Sequence, residues 1–362
     1  MKKKLMELKS KLDYGSLKNA HIIKGDEITN EDINALIDNY FNWTYENLIS
    51  NTVGELQNIV GNNKLVEFKK SKLKWLVNWY GKNKEEIEDY KIYTEINDVD
   101  ISGNIIYINA IYGEDLMLKS SSDIVQKIRN QEHKILAKNV GSKLVIIHDY
   151  YNDELADEMF WVSDREFKTN KKVKSINKKL EKKTLEINKN IKRIDKLVKQ
   201  YRRNLDNSLK INNIQERKYP GYDGVIAAKY AVKYAINYNP EYQDYNGRGG
   251  DCTNFVSQCI YAGGIPTDNV WYKDSHAWIR VVELRSWLLK KGYARELTVQ
   301  DNAKEGDLIQ LRNSGGYWYH SLIVTYKNPT NGELFVSCHT GDYVNRALST
   351  YTTDRRYLIL TS

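Results

Sequence analysis

Apolar residues near the start of the chain recur with the spacing of one helix face. In residues 28–49, ITNEDINALIDNYFNWTYENLI, they fall three or four positions apart, which predicts an amphipathic helix. Thr29 is its expected N-cap, because Asp32 follows three residues later and the two can form a capping box. A second helix is predicted from Leu65 to Trp79.

The period then changes from that of a helix to that of a β-strand. Four β-rich runs follow, with turn signals at Ser102-Gly103-Asn104 and at Gly141-Ser142: KIYTEIND, NIIYINAIY, HKILAKNV and KLVIIHDYY. Helices followed by an antiparallel meander predict a small α+β N-terminal domain over residues 1–165. We expect His133 and His148 to be ordinary packed or surface side chains. We therefore assign this domain a binding or spacer role and no catalytic site.

A strongly basic segment separates this domain from the rest of the chain. The formal net charge is +8, yet residues 171–210 carry 15 Lys and Arg against four Asp and Glu, so the remainder is net acidic. Apolar residues step by four and three in turn, which predicts a long basic helix over 166–215 that pairs within the chain or in a homodimer. Its charged face is interpreted as solvated. The alternative is that this face binds an anionic polymer such as wall teichoic acid or nucleic acid. The stripe comprises Ile187, Ile191, Ile194, Val198, Tyr201 and Leu205.

Beyond Pro220 the pattern predicts helices first and an antiparallel sheet afterwards. The run DGVIAAKYAVKYAINYNP has helical spacing up to Asn239-Pro240, and a further helix is predicted from about Trp278 to Lys291. Three extended runs follow, at 307–311, 317–326 and 334–339, separated by glycine-containing turns. We therefore expect an α+β C-terminal domain over residues 216–362.

The stretch GGDCTNFVSQCIYAGGIP, residues 249–266, places a cysteine at the first turn of a predicted short helix. Its apolar residues share one helix face, and Gly263-Gly264 supplies the stop signal. Backbone N–H groups and the positive end of the helix dipole collect at that end, so the pKa of the Cys252 thiol is expected to fall. Cys252 is therefore the candidate nucleophile, and Asp251 is a candidate N-cap or supporting group.

The other cysteines and the composition exclude several classes of protein. Cys259 and Cys338 are expected to be small buried apolar side chains. Three cysteines without zinc-ligand spacing indicate neither a disulfide scaffold nor a structural zinc site, and we expect no metal and no cofactor. No apolar stretch is long enough to span a bilayer. As written, the chain predicts a soluble protein, cytoplasmic, or secreted to the cell wall if an export signal was removed.

Two histidines in the predicted sheet are candidates for a catalytic base and its partner. His320 begins one strand and His339 ends the next. If the hairpin is centred between residues 329 and 330, these two positions pair directly, whereas centring it on Asn331-Gly332 moves the partner to Tyr343. A thiol at a helix tip, an imidazole base on a facing strand and a third group that orients the base are the components of thiol acyl transfer.

The C-terminal part of the chain also resembles a known family. Six segments occur in the order seen in the putative amidase domain family, a bacterial branch of the NlpC-type and papain-like cysteine peptidase clan: AAKYAVKYAINYNPEY, GGDCTNFVSQCIYAGGIP, WYKDSHAW, EGDLIQL, HSLIVT and SCHTGDYVNRALS. The resemblance covers residues 222–360 and implies a papain-like core, with the nucleophile helix packed on an antiparallel sheet. It implies nothing about residues 1–215.

The resemblance implies a role for each candidate. The family nucleophile falls on Cys252 and the base on His320, while His339 matches the third, orienting member and Asp342 is its substitute. The implied reaction is amide hydrolysis through a thioester, with the Cys252 backbone N–H as half of an oxyanion hole. Three tryptophans flank these segments and are candidate walls for the substrate, although Trp278 also has the spacing of a buried helix position: Trp271, Trp278 and Trp318.

Three hypotheses for the function remain open from the sequence. The resemblance favours hydrolysis of a peptide or peptidoglycan stem-peptide bond, and a cationic helix would suit an anionic wall. The first alternative is a cytoplasmic thiol acyltransferase or amidase that acts on a small or carrier-bound substrate. The second is a non-enzymatic binding or scaffold protein with a vestigial thiol site.

Overall fold

The computed structural model divides the chain into two compact units, which we treat one at a time. The first contains residues up to 122 together with 129–153 and 158–198, and the second contains 123–128 and the residues from 199 onward. The predicted division into three domains is not tested by this and stays a prediction. The structure describes residues 28–140, 143–153, 158–160, 162–169, 172–210, 221–298, 300, 303–313, 315–351 and 353–360. The predicted turn at Gly141-Ser142 and residues 170–171 and 211–215 of the predicted basic helix lie outside these ranges.

The first unit begins with the two helices that the sequence predicts. Helix α1 (Asn30–Ile49) starts at Thr29, whose hydroxyl accepts the Asp32 N–H at 3.2 Å, while the Asp32 carboxylate accepts the Thr29 N–H at 2.9 Å. The predicted capping box is therefore confirmed. Helix α2 (Asn63–Asn83) is four residues longer at its C-terminal end than predicted and ends at Lys84, whose φ is 57°.

A meander of long strands follows, as the sequence predicts. Strand β1 pairs with β2 and β3 pairs with β4, both antiparallel, and Gly103 at the first turn has a φ of 60°. Two short strands and a one-turn helix complete this part of the unit. The bounds are β1 (Ile87–Ser102), β2 (Ile105–Leu118), β3 (Val125–Val140), β4 (Lys143–Tyr150), β5 (Asn152–Asp153), β6 (Glu158–Met159) and α3 (Asp164–Thr169).

Both histidines of this unit are packed side chains, each about 2% exposed. His133 Nδ1 lies 2.7 Å from the Asp149 carboxylate, which also accepts a 2.7 Å hydrogen bond from the Tyr40 hydroxyl. His148 contacts the Asn62 side chain at 3.3 Å, and burial lowers the pKa of His148 to about 4. The expectation that both are ordinary side chains is consistent with these contacts.

The basic segment is helical, but it is not one continuous helix. Helix α4 (Val173–Lys192) ends at Arg193, whose guanidinium folds back to the Asn190 side chain at 2.7 Å, and helix α5 (Ile194–Lys210) begins directly afterwards. Helix α4 packs on α2, with Ile176, Leu180 and Ile187 buried, so its partner helix lies in the same unit. The anionic polymer expected along the charged face stays a prediction.

From residue 221 onward, the described residues of the second unit form four α-helices. Helix α6 starts at its N-cap Asp223 and ends at Tyr234, before the predicted stop at Asn239-Pro240. The Tyr234 carbonyl accepts from His339. The helix predicted from Trp278 is divided at Arg280, which is extended. The bounds are α6 (Gly224–Tyr234), α7 (Cys252–Ala262), α8 (His276–Ile279) and α9 (Val281–Lys291).

An antiparallel sheet forms the other layer of this unit. Its strand order is β11-β10-β9-β8-β12-β7, and Lys127 and Ile128 pair with β11. Three of the strands were expected, and β7, β11 and β12 are additional. The bounds are β7 (Ala294–Leu297), β8 (Leu308–Arg312), β9 (Trp318–Lys327), β10 (Leu334–Cys338), β11 (Tyr343–Ala347) and β12 (Asp354–Leu360).

Apolar side chains cover both faces of this sheet. One cluster joins the helices to the sheet and includes Phe255, Trp271 and Ile323, and the other contains mainly strand residues such as Leu322 and Val336. The α+β fold class, with a large antiparallel sheet and several helices, is thus confirmed.

The predicted register of the β9–β10 hairpin is wrong by one to two residues. Leu334 pairs with Lys327 and Ser337 with Ile323, with an irregularity between Phe335 and Val336. A direct pair between positions 320 and 339 would need a different register. Because neighbouring strand residues point to opposite faces, a shift of one residue separates side chains that were expected to lie side by side.

Gly306 is a position where an added methyl group would conflict directly with the backbone. Its φ is 86°, and a Cβ there would lie 2.3 Å from Gly224 Cα. We expect Gly306→Ala to lower the free energy of unfolding by about 2–5 kcal/mol, because it combines overpacking with left-handed strain. Chemical denaturation of the full chain measures this loss.

Gly247→Ala is the matched control. Gly247 also has a positive φ, 77°, but nothing lies within 4 Å of the added Cβ. The free energy of unfolding of Gly247→Ala should fall only by the cost of left-handed backbone strain, about 1–2 kcal/mol. Equal losses in the two variants would show that the close approach of residues 224 and 306 contributes nothing.

Candidate active site

Cys252 is the first residue of helix α7, as the sequence predicts. The chain reaches this point through Gly249 and Gly250, whose φ values of 113° and 102° are accessible only to glycine without strain. The Asp251 N–H donates to the Thr340 hydroxyl at 2.7 Å, which fixes the start of the helix against the loop after β10. The thiol therefore lies at the positive end of an 11-residue helix.

The Cys252 sulfur contacts His320 and Ser321 on strand β9. Burial would raise the pKa of the thiol, but the charge and hydrogen bond of His320, the Ser321 backbone N–H and the Thr253 hydroxyl together outweigh it. The pKa of Cys252 is therefore held below its ordinary value, which favours the thiolate. The structure thus brings together the predicted nucleophile and the predicted base.

The other two cysteines have different surroundings. Cys259 lies in the apolar cluster between the helices and the sheet, and burial raises the pKa of its thiol well above the ordinary value. Cys338 is fully buried in the cluster on the opposite face of the sheet. Cys252 retains about 5% of its surface exposed, so a small reagent can reach it more readily than the other two.

His339 contacts Asp251 and not His320 through its ring nitrogens. Its Nδ1 lies 2.5 Å from Asp251 Oδ2, and its Nε2 donates to the Tyr234 carbonyl at 2.8 Å. The ring is stacked between Tyr238, at 3.6 Å, and Phe255, at 4.1 Å. Both nitrogens therefore have partners that the sequence did not predict.

Asp251 is held away from the usual position of a capping side chain. Its Oδ1 accepts the Tyr245 N–H at 2.9 Å and the Asn254 amide at 2.8 Å, and it makes no side-chain cap to the helix. Asp342 accepts a hydrogen bond from the Tyr238 hydroxyl at 2.7 Å, so it lies behind the ring that stacks on His339.

The three tryptophans are placed in two different environments. Trp271 and Trp278 are at most 1% exposed, and their ring centroids lie 4.6 Å apart in the core. Their indole nitrogens donate to Ser257 and Asn254, both on helix α7. Trp318 is partly exposed at the start of β9, two residues before His320. Of the three, Trp318 therefore has a surface that a substrate could contact.

The sequence reasoning missed two residues that contact the Cys252 sulfur. Thr253 Oγ1 lies 3.8 Å from the sulfur and 3.0 Å from Ser321 Oγ. Each directly follows one of the predicted catalytic residues, Cys252 and His320. That adjacency in the sequence could have pointed to Thr253 and Ser321. Their contact with the sulfur, however, depends on how β9 crosses the tip of α7.

Across the described ranges, no helix is both long and apolar enough to cross a membrane. The described side chains likewise include no group of three or more His, Cys, Asp or Glu arranged to hold a metal ion.

Residues 221–360 match the family described as putative amidase domain. This agrees with the resemblance found from the sequence and supports amidase activity, a hydrolytic function, for this part of the chain. No solved structure matches the chain with significance.

Two proteins of Bacillus subtilis (strain 168) are similar to the chain. The uncharacterized protein YjcM is 39% identical over 136 residues, 34% of this chain and 32% of its own length. The uncharacterized protein YhbB is 30% identical over 135 residues, 33% of this chain and 42% of its own length. The matched region thus spans less than half of either relative.

Proposed function

We propose that residues 221–360 form a cysteine amidase with a papain-like arrangement, in which Cys252 is the nucleophile and His320 is the acid and base. The contact between the Cys252 thiol and the His320 imidazole at the tip of α7 is the observation that carries this proposal. The match to an amidase family supports the reaction class. The packing of α7 on an antiparallel sheet supports the papain-like arrangement.

The reaction proceeds in two balanced steps. The Cys252 thiolate attacks the amide carbonyl, and the imidazolium of His320 gives its proton to the leaving nitrogen as the C–N bond breaks and a thioester forms. Water then attacks the thioester while His320 accepts its proton, and the C–S bond breaks to release a carboxylic acid product. This returns the thiolate and the imidazolium to their starting state.

The N-terminal end of α7 would stabilise the oxyanion in both steps. Because Asp251 bonds to His339, Asn254 and Tyr245, its carboxylate does not occupy the tip of the helix. The Cys252 backbone N–H can therefore act as one oxyanion donor, and such donors contribute about 3 kcal/mol each.

His339 acts on the nucleophile through Asp251 and not on the base. His339→Gln keeps a donor near the Tyr234 carbonyl but loses the contact with Asp251, and we expect kcat to fall about 10- to 100-fold with KM nearly unchanged. His339→Asn keeps a donor near Asp251 and should retain more activity. Steady-state kinetics of the two variants measure the difference.

The pH profile separates this role from direct orientation of His320. If His339 acts through Asp251, the pH midpoint for alkylation of Cys252 should stay the same in His339→Gln. A shifted midpoint in His339→Gln, together with activity in His339→Asn no higher than in His339→Gln, would contradict the assignment. It would favour an orienting role toward His320.

A peptide amide is the proposed substrate class, and the stem peptide of peptidoglycan is its first candidate. Partly exposed Trp318 near His320 offers an apolar wall for such a chain. Mass spectrometry of muropeptides incubated with wild type and with Cys252→Ala tests this, because hydrolysis adds one water and appears only with wild type. Acyl release from carrier-bound thioesters alone would favour the acyltransferase, and an unreactive Cys252 would favour the scaffold hypothesis.

A further inference from the structure

A buried line of polar side chains runs through the second unit from Arg356 to the Cys252 sulfur. It passes from strand β12 to β8, then to β9 and to the first turn of α7. The four residues that form this line are each at most 5% exposed: Arg356, Gln310, Ser321 and Thr253. Buried polar groups reduce stability unless they are paired, so their order of donors and acceptors is informative.

Arg356 fixes the orientation of the Gln310 amide. A guanidinium has donors only, and its Nε and Nη2 lie 2.9 and 2.6 Å from Gln310 Oε1. The amide oxygen must therefore face Arg356, and the amide nitrogen must face the other way. That nitrogen donates to the Val281 carbonyl at 2.8 Å and to Ser321 Oγ at 3.4 Å.

The orientation of Gln310 makes Ser321 Oγ an acceptor, and the two hydroxyl groups continue the line to the sulfur. Ser321 Oγ accepts from Gln310, which leaves its own hydrogen available for Thr253 Oγ1 at 3.0 Å, a contact in which either hydroxyl can donate. Thr253 Oγ1 lies 3.8 Å from Cys252 Sγ, within the range for sulfur acceptors, and its hydrogen bond lowers the pKa of the thiol, as donation to a thiolate would. One order of donors therefore satisfies the whole line, with every hydrogen pointing toward the sulfur and away from the positive charge of Arg356.

We propose that Arg356, Gln310, Ser321 and Thr253 form a one-directional hydrogen-bond chain that presents a donor to the Cys252 sulfur, with Thr253 as a positioning residue for the thiolate. The inference rests on the proposed function in taking Cys252 as the nucleophile. A thiol hydrogen aimed at Thr253 would meet another donor, whereas a thiolate accepts it, and charge-assisted hydrogen bonds are the stronger kind. The chain thus supports the thiolate from a side that His320 does not occupy.

The test is the rate of Cys252 alkylation by iodoacetamide as a function of pH, on the full chain, with peptide mapping to assign the label. Thr253→Val keeps the shape but removes the hydroxyl, and it should raise the pH midpoint by about half to one unit, a three- to tenfold lower rate below the midpoint. Thr253→Ser should restore the wild-type midpoint. Ser257→Ala removes another buried hydroxyl of α7, bonded to the Trp278 carbonyl, and should leave the midpoint unchanged.

Gln310→Glu provides an independent second variant, decisive even if Thr253→Val does not fold. A carboxylate can pair with Arg356 but cannot donate to Ser321, so the chain reverses and the midpoint should again rise. Wild-type midpoints in both Thr253→Val and Gln310→Glu would overturn the chain. The proposed function would be overturned by a different result: a midpoint in the wild-type protein at the ordinary pKa of a thiol, with the same midpoint in His320→Gln. The two failures are therefore distinguishable.

Discussion

Replacement of Cys252 by alanine is expected to abolish turnover and to remove the thiol that reacts with iodoacetamide at neutral pH. The nucleophile forms the bond that carries the acyl group, so no other side chain can replace it, and the loss should be on the order of 10⁵-fold or more. The thiol is the cysteine whose pKa is lowered, because its contacts with His320, Ser321 and Thr253 outweigh burial. Mass spectrometry of labelled protein and of the products of amide substrates measures both effects.

Cys259→Ala is the matched control on the same helix. Cys259 lies about two turns further along the helix in the apolar core, where burial raises the pKa of its thiol. The variant should keep its labelling and its turnover and lose only a modest part of its stability. Turnover that survives in Cys252→Ala, or that is lost equally in both variants, would contradict a cysteine mechanism centred on Cys252.

His320→Gln is expected to lower kcat by about 10²- to 10⁴-fold, because the leaving nitrogen and the attacking water lose their proton donor and acceptor. It should also change the pH dependence of alkylation. In the wild-type protein, Cys252 stays a reactive thiolate until the pH falls to the lowered pKa of its thiol. Labelling is then lost as the pH falls further. Without His320, burial dominates, the pKa of Cys252 rises, and rapid labelling requires a more alkaline pH.

His276→Gln controls for the loss of a histidine in the same unit. His276 is exposed at the start of α8, and no contact joins it to the Cys252 sulfur in the structure. Its rate and labelling profile should match those of wild type. A His320→Gln variant with a wild-type labelling profile would show that the imidazole does not stabilise the thiolate.

The nucleophile helix could be predicted because its signals are local. Apolar residues at three-and-four spacing and the glycines at 263 and 264 define both its buried face and its end. The same is true of α1, where Thr29 and Asp32 lie three residues apart. Short-range patterns of this kind depend on the chain alone and not on what the element packs against.

The partner of His339 could not be predicted, because it depends on register and on distant contacts. The hairpin turn is centred between residues 330 and 331, since Leu334 pairs with Lys327, and an irregularity between Phe335 and Val336 then shifts the ladder by one residue; no residue type in that run signals it. His339 then reaches Asp251, 88 residues earlier in the chain. The position of a hairpin turn determines which residues of the two strands pair only where the ladder has no irregularity.

The donor chain was also outside the reach of sequence patterns. It needs β12 to lie beside β8, and β8 beside β9, so that Arg356, Gln310 and Ser321 come together. Strand β12 was not predicted at all. Sheet order brings together residues 310, 321 and 356 through non-local pairing, which periodicity does not encode.

The pH dependence of Cys252 alkylation in the wild-type chain tests the central claim most directly, because it requires no knowledge of the substrate. Because His320 lowers the pKa of the thiol, the rate should stay high below about pH 8.5, near the ordinary pKa of a cysteine thiol, and fall in more acidic solution. A midpoint at or above that value would contradict a thiolate held at the tip of α7 by His320.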